Sequence, residues 1–138
     1  ITIVGLQGKD GIMNDKDLLA LAKRAREFAY APYSGFLVGA ALLCKDGTVF
    51  TGCNVENASY GAAICAERNA VSTAVAAGYR EFESIAIAAE GDGCVYPCGI
   101  CLQVLNEFSK DLRVICQDGD DFRSFPLKEL LPKGFDSL

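Results

Sequence analysis

Cys65-Ala66-Glu67 and Pro97-Cys98-Gly99-Ile100-Cys101 are the two stretches from which the chain is best read. Together they offer three thiols and one carboxylate, and each stretch is expected to open a helix. Three thiolates suit Zn²⁺, and a site with three protein ligands leaves a fourth position for water. Zinc can lower the pKa of that water from ~15.7 to roughly 7. Glu67, just past the first thiol, is placed to shuttle protons without binding the metal. The chain has no histidine. A zinc site must therefore be built from Cys and carboxylates, and no imidazole is available as a base.

Other readings of the same residues stand beside this one. Seven cysteines could form a disulfide framework, but the count is odd and the chain is apolar enough to need no staples. A lone C-x-x-C could be a redox pair. A purely structural zinc site would need a fourth ligand, for which Cys44, Cys53, Cys94 and Cys116 are candidates. Each of these four reads more simply as a small core or loop residue. A glutamate beside the first thiol favours the open, catalytic site.

Composition bounds the function classes. With 138 residues, 51% of them hydrophobic and 22% charged, the chain can bury the core of a single domain. A net charge of −5 opposes a nucleic-acid surface, which needs clustered Lys and Arg. No apolar run reaches the length of a membrane span. The apolar start Ile1–Leu6 is too short for a signal peptide and has no basic residue before it. Residues 1–13 are expected to be an N-terminal extension, disordered or a remnant of processing, ahead of one domain over 14–138. A reduced, cytoplasmic protein is the natural expectation.

Around the two motifs, the pattern predicts alternating elements. Asn14 or Asp15 caps a helix whose apolar recurrence runs from Leu18 through Phe28 to about Tyr30, where Pro32 stops it. The near-continuous apolar run Phe36–Cys44 reads as a strand covered on both faces. The Asp46-Gly47 turn then leads into a partner strand over 48–55. That strand ends in Asn54-Val55-Glu56-Asn57, with residues 54 and 56 projecting to one side of an extended chain. An amide beside a carboxylate can form a hydroxyl clamp, since Asn can donate and an ionised Glu only accepts, although the same residues by themselves read more simply as a polar turn. A helix follows from Cys65 to about Ala77, with Gly78 as its stop. Arg68 lies one turn beyond Cys65 and can donate to its sulfur, offsetting the excess negative charge of three thiolates. A strand over 82–89, a helix from the C-x-x-C through Phe108, strands over 112–116 and 122–125, and a turn over 127–131 complete the pattern. The order implies an α/β fold with a mixed sheet between two helical layers.

Phe36-x-Val38-Gly39-Ala40-Ala41, Asn54-Val55-Glu56-Asn57, Cys65-Ala66-Glu67-Arg68 and Pro97-Cys98-Gly99-x-Cys101 resemble the small homotetrameric cytidine deaminases. The resemblance runs from about residue 14 to Phe135. It implies a three-layer α/β/α fold on a five-stranded mixed sheet, and hydrolysis of cytidine and 2′-deoxycytidine in pyrimidine salvage. It further implies Zn²⁺ on Cys65, Cys98 and Cys101, with hydroxide attacking the carbon that bears the amino group. Glu67 is then the proton carrier, Ala66 N–H binds the base carbonyl, Asn54 and Glu56 hold the ribose 3′-hydroxyl, and Phe36 lines the pocket. Tyr60 and Phe135 are implied to reach into neighbouring subunits of a homotetramer. One departure is Leu102, where family members often carry Arg after the last zinc Cys. Blasticidin S deaminases share the metal core, but the intact Asn54-x-Glu56 favours a nucleoside. A non-catalytic, zinc-stabilised binding module would not need Glu67. A polynucleotide substrate is opposed by the acidic composition.

Overall fold

The computed structural model of the chain describes residues 2–3 and 13–136. Eight longer elements and a few short ones follow in order. They are β1 (Thr2–Ile3), α1 (Asp15–Arg26), β2 (Val38–Cys44), β3 (Val49–Cys53), a single 3₁₀ turn (Tyr60–Ala62) and α2 (Ala66–Ala76). After these come β4 (Phe82–Ala89), α3 (Gly99–Phe108), β5 (Arg113–Asp118), β6 (Asp121–Pro126) and α4 (Leu127–Leu130). The sheet order is β1-β3-β2-β4-β5-β6. All pairings are antiparallel except β4 with β5. The expected five-stranded mixed sheet is β2–β6, and β1 adds a two-residue edge on β3. Of the expected extension over 1–13, residues 1 and 4–12 lie outside the described residues.

Strand alternation sorts the core into two layers. Ala40, Leu42, Phe50, Ile85, Ile87, Val114 and Cys116 face α2 and α3, where they meet Ala66, Ala70, Val71, Leu102 and Leu105. Leu43, Val49, Ala86, Ala88 and Ile115 face the opposite way and pack on Leu18, Leu19, Leu21 and Ala22 of α1. Successive residues of one strand thus serve opposite helical layers, as a period of two requires. Leu102 is 8% exposed and belongs to the α2–α3 layer.

Local chemistry accounts for the element ends. The Asn14 side chain accepts from Asp17 N at 2.8 Å to cap α1. Gly47, at φ 92°, turns the β2–β3 hairpin while Asp46 accepts from Thr48 N at 2.9 Å. The expected helix to Tyr30 is corrected here: α1 ends at Arg26, and Phe28 is 71% exposed. Tyr30 is drawn out of the helix into a bridge with Val55, its N–H donating to Asn54 O and its O accepting from Glu56 N. Apolar period alone did not contain this tertiary competition for the backbone. The strand expected from Phe36 likewise begins only at Val38, because Gly35 (φ 70°) closes a turn onto Ala31 O.

Two glycines allow the helices to lie close on the sheet. A Cβ at Gly52 would stand 2.5 Å from both Ala66 O and Ala70 N of α2, and one at Gly39 would stand 2.0 Å from Ala22 O of α1. The first of these contacts matters for the site, since it seats the start of α2.

Candidate metal and substrate site

Cys65 is the N-cap of α2 and Cys98 is the N-cap of α3, both in extended backbone conformation. Cys101 follows on the first turn of α3 and is fully buried. Two helix N-termini therefore converge on the three sulfurs, and their partial positive charge favours thiolate there. Cys65 Sγ and Cys98 Sγ are 3.8 Å apart, and all three sulfurs lie within 4.8 Å of one another. Two sulfurs each ~2.3 Å from a tetrahedral zinc would be separated by about 3.8 Å. The donor set and its spacing both fit zinc. Among the described residues no fourth Cys, Asp or Glu joins the group. Cys44, Cys53, Cys94 and Cys116 lie elsewhere as free thiols. Three such thiols with no fourth donor beside them would leave one position of a tetrahedral zinc open.

Electrostatics around the sulfurs follow from their neighbours. Cys65 is pulled down to about 5, first by a hydrogen bond from Cys101 and then by one from Arg68 against the opposing effect of burial. Cys101 is correspondingly raised, because it donates to Cys65 and is buried beside Glu67. Arg68 Nη2 donates to Cys65 Sγ at 3.5 Å, which places the guanidinium where the sequence put it. Glu67 is 4% exposed, and burial pushes its carboxyl up to about 7. A buried carboxyl with no bulk water to stabilise its charge holds a proton far more readily than a surface glutamate.

A cavity of about 200 Å³ opens on this cluster, lined by Phe36, Asn54, Cys65, Ala66, Glu67 and Cys98, among others. Ala66 opens α2, so its N–H is one of the donors with no partner inside the helix. Asn54 fixes the wall opposite. Its Oδ1 accepts from Val38 N and its Nδ2 donates to Phe36 O, each at 2.8 Å. Glu56 turns toward the same segment, accepting from Tyr33 N, Ser34 N and Ser34 Oγ. Those three bonds hold its carboxyl below the usual range, the Ser34 hydroxyl most of all. The side chains of residues 54 and 56 thus share a side, as the two-residue spacing implies, and both already hold backbone. Each keeps spare capacity: one N–H and one lone pair on Asn54, and one lone pair on Glu56.

Two expected residues are largely exposed. Tyr60 is 77% exposed and packs edge-on against Tyr33, and Phe135 is 62% exposed. Neither lines the cavity of about 200 Å³, but Tyr60 lines an adjoining one of about 390 Å³ together with Asn54, Glu56, Cys65 and Cys98. Phe135 is held instead by Gln103 of α3, which donates to its O at 2.7 Å and accepts from its N at 3.0 Å.

Beside Val38 of the quoted Phe36-x-Val38 motif, the structure brings residues to the cavity that the sequence had not singled out: Ile87, Val95 and Tyr96. Two of them carried a signal. Tyr96 directly precedes the Pro97 ligand loop, and Ile87 lies near the C-terminal end of a parallel strand, where α/β sheets commonly bind ligands. The partnership of Ser34 with Glu56 had none, since the two lie far apart in the chain.

Comparison with known proteins follows the same lines. The profile of the cytidine and deoxycytidylate deaminase zinc-binding region matches residues 12–117. A cytidine deaminase from Halalkalibacterium halodurans is 46% identical over 125 residues, which is 89% of this chain and 95% of the relative. One from Sporosarcina psychrophila is 52% identical over 96 residues, covering 70% of this chain and 71% of the relative. Among solved structures, cytidine deaminase from Burkholderia pseudomallei superposes with a TM-score of 0.86 at 52% identity. That match covers 89% of this chain and all of the other. The Mycobacterium tuberculosis cytidine deaminase gives a TM-score of 0.80 at 38% identity, over 91% of this chain and all of the other.

Proposed function

The chain belongs to the cytidine and deoxycytidylate deaminase zinc-binding family, and we propose that it hydrolyses cytidine and 2′-deoxycytidine to uridine and 2′-deoxyuridine with release of ammonia. The observation that carries this reading is one cavity lined both by Cys65 and Cys98 of the sulfur cluster, at two helix N-termini, and by buried Glu67. Cys65, Cys98 and Cys101 would hold the metal. When bound, zinc would make the attacking water acidic enough to ionise near neutral pH.

The chain's own groups then do the rest. Phe36 packs against the base, and the free N–H of Ala66 takes the base carbonyl. Glu67 accepts the proton that water loses, passes it to the ring nitrogen, and later carries a proton to the departing amine. A C–O bond forms at the carbon bearing the amino group, the C–N bond breaks, and ammonia leaves. Arg68 neutralises part of the negative charge of the thiolates without touching substrate. The spare acceptor of Glu56 and spare valences of Asn54 take the sugar 3′-hydroxyl, which makes the preferred substrate a nucleoside.

The assembly we propose is a homotetramer with sites shared between subunits. Supporting it are exposed apolar side chains, among them Phe135 and, beside Cys65 and Cys98, Tyr60, Ile64 and Ile100. Seven thiols with no disulfide among the described residues suit a reducing, cytoplasmic setting. No helix of the described residues is long and apolar enough to cross a membrane.

The test is an ultraviolet assay of cytidine alongside zinc content per chain, on wild type and Glu67→Gln. Turnover with about one zinc per chain is expected for wild type, and a loss of about 10²- to 10⁴-fold with zinc retained for the variant. Undiminished deamination by Glu67→Gln would remove its assigned role, and zinc without turnover in wild type would remove the function.

A further inference from the structure

We infer that Ser34 is a positioning residue for sugar recognition: it orients Glu56 so that a single acceptor site of the carboxylate is left facing the substrate. The inference rests on the proposed function and adds a residue to it. The geometry is specific. Glu56 Oε1 accepts from Tyr33 N at 2.9 Å and Ser34 N at 3.1 Å, which fills both of its lone pairs. Among the described residues, Glu56 Oε2 accepts only from Ser34 Oγ, at 2.5 Å. That is a short, charge-assisted bond. One lone pair on Oε2 remains. An ionised carboxylate can only accept, so the group it takes must be a donor, and a sugar hydroxyl is one.

The same serine oxygen also accepts from Phe36 N at 3.0 Å. Phe36 lines the cavity at the sulfurs. One hydroxyl therefore ties the group that reads the sugar to the ring that walls the base. The turn makes this arrangement local: Gly35 N donates to Ala31 O, Gly35 sits at φ 70°, and the N–H groups of Tyr33 and Ser34 point at the carboxylate. Removing the hydroxyl leaves Oε2 with two open acceptor sites and lets the carboxylate rotate. Ser34 is on the surface, so water can replace the lost bond and the fold should survive.

The experiment compares cytidine with 2′,3′-dideoxycytidine, which lacks the 2′- and 3′-hydroxyls, on zinc-loaded wild type, Ser34→Ala and Ser34→Thr. In Ser34→Ala the ratio of kcat/KM for cytidine over dideoxycytidine should fall about tenfold, the scale of one hydrogen bond to a charged group. The loss should appear in KM for cytidine rather than in kcat. Ser34→Thr keeps a hydroxyl at the same place and should restore the ratio. Melting temperatures close to wild type for both variants would show that folding is not the cause. Equal losses on the two nucleosides, or an unchanged ratio in Ser34→Ala, would overturn the inference while leaving the deaminase reading intact. Wild type inert toward cytidine would overturn both.

Discussion

Gly52→Ala should damage the site by moving the helix that carries it. Gly52 lies on β3, paired with Ala40, directly beneath the first turns of α2. An added Cβ would stand 2.5 Å from Ala66 O and from Ala70 N, and 3.1 Å from Ala70 Cα. All three are backbone atoms, so no side-chain rotation relieves the contact. Ordinary van der Waals contact begins near 3.4 Å, so the start of α2 must withdraw by about 0.9 Å. One of the two residues nearest the intruding methyl, Ala66, sits between Cys65 and Glu67. A displacement of about 1 Å of catalytic groups can cost on the order of 100-fold in rate, and overpacking costs about 1–3 kcal/mol in stability. We therefore expect Gly52→Ala to fold, melt lower and turn over cytidine about 100-fold more slowly. Gly39→Ala is the control on the other layer. Its Cβ would stand 2.0 Å from Ala22 O, demanding a larger withdrawal of about 1.4 Å, but from α1, which carries no proposed site residue. It should lose more stability than Gly52→Ala and less activity per folded molecule. Thermal melts by circular dichroism and the ultraviolet assay, both at matched zinc content, make the comparison. Wild-type turnover in Gly52→Ala would refute the claim that close helix–sheet approach holds Glu67 in register.

Three further outcomes are expected. Arg68→Ala removes the donor to Cys65 Sγ and should lower turnover by about 10- to 100-fold with zinc still bound at saturating metal; unchanged turnover and zinc affinity would make Arg68 a solvated surface residue. Cys44 and Cys116 are pushed up from 9.0 to about 12, chiefly by burial. Above pH 9 the unfolded chain sheds those protons while the folded chain keeps them, so stability falls as pH rises, by roughly 1.4 kcal/mol per pH unit per thiol. Denaturant unfolding between pH 9 and 11 should show a shallower decline in the Cys44→Ala/Cys116→Ala double variant, and equal slopes would refute the assignment. The Ser84 hydroxyl is fully buried on β4 with no hydrogen-bond partner among the described residues. Ser84→Ala should therefore stabilise by about 1 kcal/mol and raise Tm by about 3 °C, whereas a lower Tm would mean that the hydroxyl has an uncounted role.

Much of this protein can be read locally. The three thiols, Glu67 and Arg68 stand out through residue type and short spacing, because a chain without histidine has few ways to build a metal site. The hairpin at Asp46-Gly47 and the two-faced strands follow from turn chemistry and from the period of two. Other features depend on segments distant in the chain meeting in space. The sulfur separation of 3.8 Å needs α2 and α3 to present their N-termini to one point. The neutral tendency of Glu67 needs the sheet and helices that exclude water from it. The end of α1 at Arg26 needs Asn54 and Glu56 to draw Tyr30 into a bridge, and the bond from Ser34 to Glu56 needs the same meeting. Residue type and spacing determine what chemistry a side chain can offer. Distance, burial and competition for hydrogen bonds are properties of the packed chain, and they decided which of those capacities face the cavity.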